Sequence, residues 1–263
     1  PISSDFPEVD YIIHAASYST PKIYGEFPVQ TLLPNIYGTL NLLKFAQKNP
    51  IIKFLFFSSG SIYGKQILPK EEINETDYGE LDPIDLRSCY AESKRMGENI
   101  CISYGKQYSI NTSIVRPFHT FGPGISLDDG RVFADFIKNI LKKEDIVIKG
   151  DGLSKRCFCY ITDATLGFLT VLLNGENNNA YNIGNPENEI SMKELANNLI
   201  NIYPELNLKV QYKPRSNNSN YLVSNLKSSK PSILKAKMIG FDPKVNTNQA
   251  FKRTIESFKL NYT

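Results

Sequence analysis

Apolar residues in the first half of the chain come in short unbroken runs. Val9-Asp-Tyr-Ile-Ile-His14 and Ile51-Ile-Lys-Phe-Leu-Phe-Phe57 have no helical period, and each ends in small polar residues. Such runs predict strands of a parallel sheet covered by helices on both faces, because neither face then needs polar positions. Between them, 35–48 carries Ile36, Leu40, Leu43 and Phe45 at helical spacing, completing a strand–helix–strand unit. The pattern recurs with a helix over 90–104, a strand over 111–116 stopped by Pro117, and an amphipathic helix over 131–141 built on Val132, Phe133, Phe136, Ile137 and Ile140. This alternation predicts an α/β fold, a doubly wound parallel sheet.

Beyond residue 117 the texture changes. Gly122-Pro-Gly124 marks a loop, a short strand over 146–149 ends at Gly150-Asp-Gly152, and Ser191-Met-Lys-Glu194 is a capping box opening a helix through Ile200. A polar loop over 216–220 precedes a terminal helix near 248–260. A smaller α+β domain over 118–263, interleaved with the sheet, is the expectation.

Composition narrows the function classes. The chain has 263 residues, 41% of them hydrophobic, with 15 Tyr and 15 Phe, enough to build a core and unlike a disordered or fibrous chain. Thirty basic residues against 27 acidic leave a net charge of +3, and the basic residues are scattered, so nucleic acid is not an expected partner. No apolar run approaches a membrane span and Pro1-Ile-Ser-Ser-Asp does not resemble a signal peptide, so a cytoplasmic protein without a membrane partner is expected. The four cysteines, Cys89, Cys101, Cys157 and Cys159, lack disulfide-framework density and zinc-ligand spacing, and read as reduced structural thiols with no metal. Sequons at Asn74, Asn111, Asn217 and Asn261 are what an Asn-rich chain carries by chance.

Three places could carry chemistry. Tyr90-Ala-Glu-Ser-Lys94 sets a phenol and an ammonium on one helix face, about 6 Å apart along the axis. A cation beside a phenol favours the phenolate and makes a general base for a hydroxyl proton, although any amphipathic helix can carry such a pair. Ser58-Ser-Gly-Ser-Ile-Tyr-Gly64 follows an apolar strand directly, which puts its hydroxyls at the carboxyl end of the sheet where open α/β folds place ligands; a plain polar loop exit reads the same way. His14-Ala-Ala-Ser17 ends the preceding strand with small residues that would let a flat cofactor lie against backbone, while His14 alone also suits a buried structural histidine.

Taken in order, these stretches resemble a known family. Asp10-Tyr-Ile-Ile-His-Ala-Ala16, Thr31-Leu-Leu-Pro-Asn-Ile-Tyr-Gly-Thr-Leu-Asn-Leu-Leu43, Ser58-Ser-Gly-Ser-Ile-Tyr-Gly64, Arg87-Ser-Cys-Tyr-Ala-Glu-Ser-Lys94, Arg116-Pro-Phe-His-Thr-Phe-Gly-Pro123, Asp129-Gly-Arg-Val132, Gly150-Asp-Gly-Leu-Ser-Lys-Arg156 and Tyr181-Asn-Ile-Gly184 are similar to extended short-chain dehydrogenase/reductases of the nucleotide-sugar epimerase/dehydratase family, above all its UDP-glucuronate decarboxylase branch.

That resemblance implies NAD as cofactor and a nucleotide sugar as substrate. It implies Tyr90 as base, Lys94 as the cation that lowers its pKa and bonds the nicotinamide ribose, and Ser59 as the hydroxyl sharing the substrate proton. His14, Ala15, Ala16, Ser17, Asn35, Ser58 and Pro117, with Tyr90 and Lys94, would hold or adjoin NAD. Ser59, Ser61, His119, Arg131 and Arg156 would contact substrate, His119 where the family often has Asn and the two arginines near the diphosphate, which suits a planar donor fork. Residues 1–117 would be the rest of a NAD-binding domain and 118–263 mainly the substrate domain, with about 155–175 returning to the sheet.

The shared chemistry passes through a 4-keto sugar. Dehydratases follow the Ser/Thr with an Asp and Glu, and decarboxylases place a Glu second after it; here those positions hold Gly60 and Ser61. The site thus favours 4-epimerisation while the overall similarity favours decarboxylation. An NADP-linked 4-ketoreductase and a non-catalytic or truncated nucleotide-sugar-binding homologue are the alternatives. The family's glycine-rich phosphate turn and acidic ribose ligand do not occur, so two strand–helix units, on the order of 75–85 residues, are expected before Pro1 in the full protein. A homodimer through a helix bundle of 35–48 and 90–104 is also implied, with Leu42, Phe45, Met96 and Ile100 serving either the bundle or the core.

Overall fold

The computed structural model describes residues 7–66, 70–128, 130–214 and 230–261. Pro1, Asp129, the polar loop over 216–220 and the sequon at Asn217 lie outside them. In chain order, β1 (Tyr11–His14) is followed by α1 (Pro21–Glu26), α2 (Pro28–Leu33), a π-helical turn (Pro34–Gly38), α3 (Thr39–Lys48), β2 (Lys53–Phe57), a 3-10 turn (Gly60–Tyr63), α4 (Ser88–Tyr108) and β3 (Thr112–Pro117). There follow β4 (Thr120–Phe121), α5 (Val132–Lys142), β5 (Ile146–Lys149), β6 (Lys155–Cys157), β7 (Cys159–Tyr160), α6 (Ile161–Asn174) and β8 (Asn179–Ile183). The chain continues through β9 (Glu189–Ser191), α7 (Met192–Ile202), β10 (Val210–Lys213), α8 (Leu234–Met238) and α9 (Thr247–Asn261).

The central sheet has the order β1-β2-β3-β8 and is parallel throughout, with Ile13 opposite Leu55, Phe56 opposite Ile114, and Val115 opposite Tyr181. Strand alternation divides its apolar residues between two layers. Phe54, Phe56 and Ile114 face α3 and α4, packing on Leu43, Ala46 and Cys101. Leu55, Val115, Tyr181 and Ile183 face α6, packing on Ala164, Val171 and Leu172. Each buried Phe or Leu contributes about 1.5–3 kcal/mol by leaving water.

β1 departs from the two-face expectation. Ile12 and His14 are buried, but Tyr11 and Ile13 are exposed, because α6 packs against β2, β3 and β8 and does not extend over β1. The helical segment before Pro34 was also not legible in the sequence: α1 and α2 are six residues each, start on Pro21 and Pro28, and show no side-chain cap.

A second core lies around α5, α7 and α9. Phe121, Phe133, Phe136, Phe158, Leu195, Leu199, Phe251 and Ile255 are buried together, with Phe121 and Phe251 ring centroids 4.3 Å apart. The capping box forms as expected, Glu194 N–H donating to Ser191 Oγ at 3.1 Å and Ser191 N–H to Glu194 Oε2 at 2.9 Å. β5 pairs with β10, β4 with β7, and β6 with β9. The four cysteines are free thiols, and among the described residues no helix is long and apolar enough to cross a membrane.

Candidate active site

The carboxyl ends of β1, β2 and β3 open on a cavity of about 870 Å³, a size typical of small-molecule sites. β2 supplies the first wall. After Phe57 the chain turns through Ser58 and Ser59 into the 3-10 turn, and Ser59 caps that turn by accepting the Ser61 N–H at 3.1 Å. The Ser59 hydroxyl also hydrogen-bonds the Tyr90 phenol. Ser58 is buried, and its hydroxyl has no hydrogen-bond partner.

α4 supplies the second wall. Tyr90 and Lys94 lie one turn apart on its buried face, at 7% and 2% exposure. The helix can approach the sheet this closely because residue 97 is glycine: a Cβ there would come within 2.3 Å of the Phe56 ring. Lys94 Nζ donates to the Phe57 carbonyl at 2.6 Å and lies 5.1 Å from the Phe56 ring centroid and 5.7 Å from that of Tyr90.

Burial dominates the electrostatics of this pair. Burial pushes the Tyr90 phenol up, opposed by the Ser59 hydrogen bond and the positive charge of Arg131. Burial also pulls the Lys94 ammonium down to about 7, opposed by the Glu98 carboxylate. Helical spacing brought the pair together, but drying disfavours the charged form of each group, and the lysine is directed at a backbone carbonyl.

β3 and the following segment close the far side with Pro117, Phe118, His119 and Thr120. His119 adopts a positive φ of 36°, and its Nδ1 is buried without a hydrogen-bond partner, as is Thr120 Oγ1. Burial, with Arg156 and Arg131 nearby, lowers the His119 pKa to about 3, so the ring is neutral at physiological pH. Arg131 precedes the first turn of α5 and stacks over Phe133 at 4.8 Å, while Arg156 comes from β6.

Of the sequence-predicted residues, Ala15, Ser17, Ser58, Ser59, Ser61, Tyr90, Lys94, Pro117, His119, Arg131 and Arg156 line this one cavity. His14, Ala16 and Asn35 do not. Alternation along β1 turns His14 into the helix layer, where it bonds the Pro34 carbonyl at 3.1 Å and meets the Phe56 ring. Ala16 is exposed outside the cavity. Asn35 is buried in the π-helical turn, its Nδ2 donating to Thr31 O and to Ser93 Oγ on α4, which ties that turn to the catalytic-candidate helix. Tyr24 was missed altogether. Its ring stacks on Tyr90 at 5.1 Å and 7°, and only the position of α1 places it there, since nothing in its local sequence signals a role.

The acidic residues lining the cavity are Glu80, Asp82 and Asp85, on the segment before α4. Among the described residues no cluster of His, Cys, Asp or Glu could hold a metal ion.

Residues 2–184 match the NAD dependent epimerase/dehydratase family. The chain belongs to that family. It is an NAD-dependent enzyme family, and the match spans the sheet, the Ser59 turn and the Tyr90/Lys94 helix. Over 258 residues the chain is 35% identical to UDP-glucuronic acid decarboxylase 6 of Arabidopsis thaliana, covering 97% of this chain and 71% of that protein. It is 34% identical to UDP-glucuronic acid decarboxylase 4 of the same plant, spanning 96% of this chain but 54% of that relative. Among solved structures, UDP-glucose 4-epimerase from Thermotoga maritima, with UDP-glucose, superposes with a TM-score of 0.84 at 25% identity, covering 97% of this chain and 78% of the other. UDP-glucuronic acid 4-epimerase from Bacillus cereus, in complex with NAD and UDP-4-deoxy-4-fluoro-glucuronic acid, gives 0.81 at 25% identity, with 97% and 77% covered.

NAD is the family's cofactor, and the residues present fit one end of it. Ala15, Ser17 and Pro117 form a small-residue surface at the strand ends, the Ser58 hydroxyl is buried without a partner, and the Lys94 ammonium stands beside Tyr90.

Proposed function

We propose that this chain carries the reaction centre of an NAD-dependent enzyme that oxidises a nucleotide sugar to a transient 4-keto sugar, with 4-epimerisation as the outcome. The observation that carries the reading is the convergence of Ser59, Tyr90 and Lys94 in one cavity with Arg131 and Arg156, while Gly60 and Ser61 bring no carboxylate to Ser59. Tyr90 accepts the sugar hydroxyl proton, and Ser59, already bonded to the phenol, shares it. Lys94 and Ser58 hold the nicotinamide end of the cofactor. When bound, NAD supplies the hydride acceptor for the sugar carbon and returns the hydride. Arg131, Arg156 and the neutral His119 bind the anionic and hydroxyl groups of the substrate. Epimerisation needs no second acid/base group, which is what the turn after Ser59 provides.

Decarboxylation of UDP-glucuronate is the second reading, favoured by the identity to the plant decarboxylases. Mass analysis of products from UDP-glucose, UDP-glucuronate and dTDP-glucose separates the outcomes: unchanged mass with inverted stereochemistry supports epimerisation, loss of carbon dioxide the second reading, loss of water a dehydratase. Net consumption of reduced cofactor would identify a ketoreductase. A full-length protein that left every nucleotide sugar unchanged would sink the enzymatic reading and favour a binding homologue.

The sheet half, 1–117 with 155–175 returning to it, is assigned to the cofactor, and the core around α5, α7 and α9 to the nucleotide sugar. A cytoplasmic location fits the free thiols. A homodimer through the helices over 35–48 and 90–104 is supported by the exposed Tyr37 and Met96, whereas Leu42, Phe45 and Ile100 are partly buried against the sheet core; light scattering of the chain and of Met96→Glu tests it.

A further inference from the structure

The turn that carries Ser59 and Ser61 has little backbone structure of its own. It is a 3-10 helix of four residues, Gly60–Tyr63, closed by Ile62 N–H donating to Ser59 O at 3.3 Å and Gly64 N–H to Ser61 O at 3.2 Å, and short 3-10 pieces have poor hydrogen-bond geometry. It lies beyond the end of β2, where the sheet ladder has stopped. Ile62 and Tyr63 seat one side of it against Ile73 and Phe118. The other side meets α4. At the reaction end the Ser59 hydroxyl bonds the Tyr90 phenol. Five residues further on, about 7.5 Å along the helix axis, Arg95 Nε donates to the Ile62 carbonyl at 2.8 Å.

The same guanidinium reaches a second carbonyl. Arg95 Nη2 donates to Gly79 O at 2.8 Å, and Nη1 stands 3.8 Å from the Glu92 carboxylate on α4. Residue 79 belongs to the segment with which the exit of the turn pairs: Gly79 N–H donates to Tyr63 O at 2.9 Å, Lys65 N–H to Glu80 O at 2.8 Å, and Glu80 N–H to Lys65 O at 2.9 Å. The two segments come this close because residues 64 and 79 are glycines. A Cβ on Gly64 would lie 2.2 Å from Glu80 O, and one on Gly79 2.3 Å from Lys65 O. Arg95 therefore fastens α4 to both sides of this pairing at once. A guanidinium suits that task because its donors stand in a fixed planar fork, whereas a lysine is a single point donor.

We propose that Arg95 is a positioning residue that holds the Ser59 turn against α4, so that the Ser59 hydroxyl stays in bonding register with the Tyr90 phenol. Tyr90 is fixed to a helix of 21 residues, whereas Ser59 caps a turn of four. The pair keeps its geometry as long as the turn cannot slide along the helix, and a charge-assisted bond to Ile62 O pins the end of the turn opposite Ser59. Arg95 does not line the cavity, so it acts through Ser59 and not on a bound molecule. Arg95 and Glu92 are both partly exposed, so replacing the arginine strands no buried charge.

The geometric assignment is read without substrate, whereas its consequence for turnover rests on the roles given to Ser59 and Tyr90 above. In protein carrying tyrosine isotope-labelled at Cζ, the Tyr90 resonance is assigned by the signal lost in Tyr90→Phe, and Ser59→Ala gives its position without the hydroxyl bond. Arg95→Met should move the signal toward that position, and Arg95→Lys, which keeps the charge but not the fork, should move it in the same direction by less. A signal that keeps its wild-type position in Ser59→Ala, or in whichever Arg95 variant folds, overturns the proposal. In the full-length, NAD-loaded enzyme, Arg95→Met should lower kcat about tenfold or more with KM within about threefold of wild type. In a Ser59→Ala background that loss should shrink to less than about twofold, because both changes remove one interaction. An equal loss in both backgrounds overturns the proposal as well. If the signal moves while neither Ser59→Ala nor Arg95→Met changes kcat, Arg95 holds the turn as assigned and the proton-sharing role of Ser59 fails.

Discussion

Gly97 separates intrinsic helix propensity from tertiary fit. It lies inside α4, a helix of 21 residues, where Gly→Ala should stabilise by about 1 kcal/mol on propensity alone. The structure predicts the opposite sign. The new Cβ would sit 2.3 Å from Phe56 Cζ and 3.0 Å from both Cε atoms, and Phe56 is fully buried against β3 and α3, with no empty side to move into. Relieving that overlap means displacing the ring or lifting α4, which costs about 1–3 kcal/mol in well-packed cores. With steric relief at about 2–3 kcal/mol, the net expectation is destabilisation by about 1–2 kcal/mol, each kcal/mol lowering the melting temperature by roughly 2–4 °C for a chain of this size. Lys94 packs over the same Phe56 ring, so turnover should fall by up to about 100-fold as Tyr90 and Lys94 shift from the strand ends. Thermal melts of Gly97→Ala, Phe56→Leu and the double variant form a cycle in which the smaller residue 56 should rescue alanine 97. A Gly97→Ala protein more stable than wild type would refute the close-approach account.

Tyr90→Phe removes the only ionisable atom of the candidate base while keeping the ring; turnover of nucleotide sugar should fall at least about 100-fold, and activity within tenfold of wild type would remove Tyr90 from the mechanism. Tyr24→Phe preserves the stack on Tyr90 and should be near neutral, whereas Tyr24→Ala should cost about 0.5–1.5 kcal/mol of ring contact and alter the pH profile of turnover by wetting one face of the phenol; identical profiles for the two variants would make Tyr24 mere packing. Burial, with Arg156 and Arg131 nearby, holds the His119 pKa at about 3, below its ordinary 6.5. The unfolded chain therefore binds a proton first as pH falls, and stability should be lost from about pH 6.5 downward toward pH 3. Melting temperature against pH should show that loss, and His119→Asn should flatten much of it, the remainder belonging to His14, which burial shifts in the same direction, and toward the acid end to carboxylates such as Asp77 and Glu194, whose hydrogen bonds hold their pKa down.

Unbroken apolar runs were enough for the strands expected over 9–14, 51–57 and 111–116, and helical spacing or a capping box for the helices α3, α4, α5 and α7, because these signals are written locally. The ordered motifs gave the family, and most of the residues named for the site do meet in one cavity. α1 and α2 were not legible, since six-residue helices starting on proline carry too little periodicity to register. His14 and Asn35 belong to the right segments, but their direction depends on which face of β1 and of the π-helical turn the core claims. Spacing could place Tyr90 and Lys94 together, yet their protonation follows from how much water the folded walls exclude and which charges lie behind them. Tyr24 over Tyr90, and Glu98 forked by Arg116, join residues 66 and 18 positions apart. Local sequence determines which segments become strands and helices; contacts across such distances arise only when those segments pack, because no local preference encodes the distance between two side chains that the sheet brings face to face.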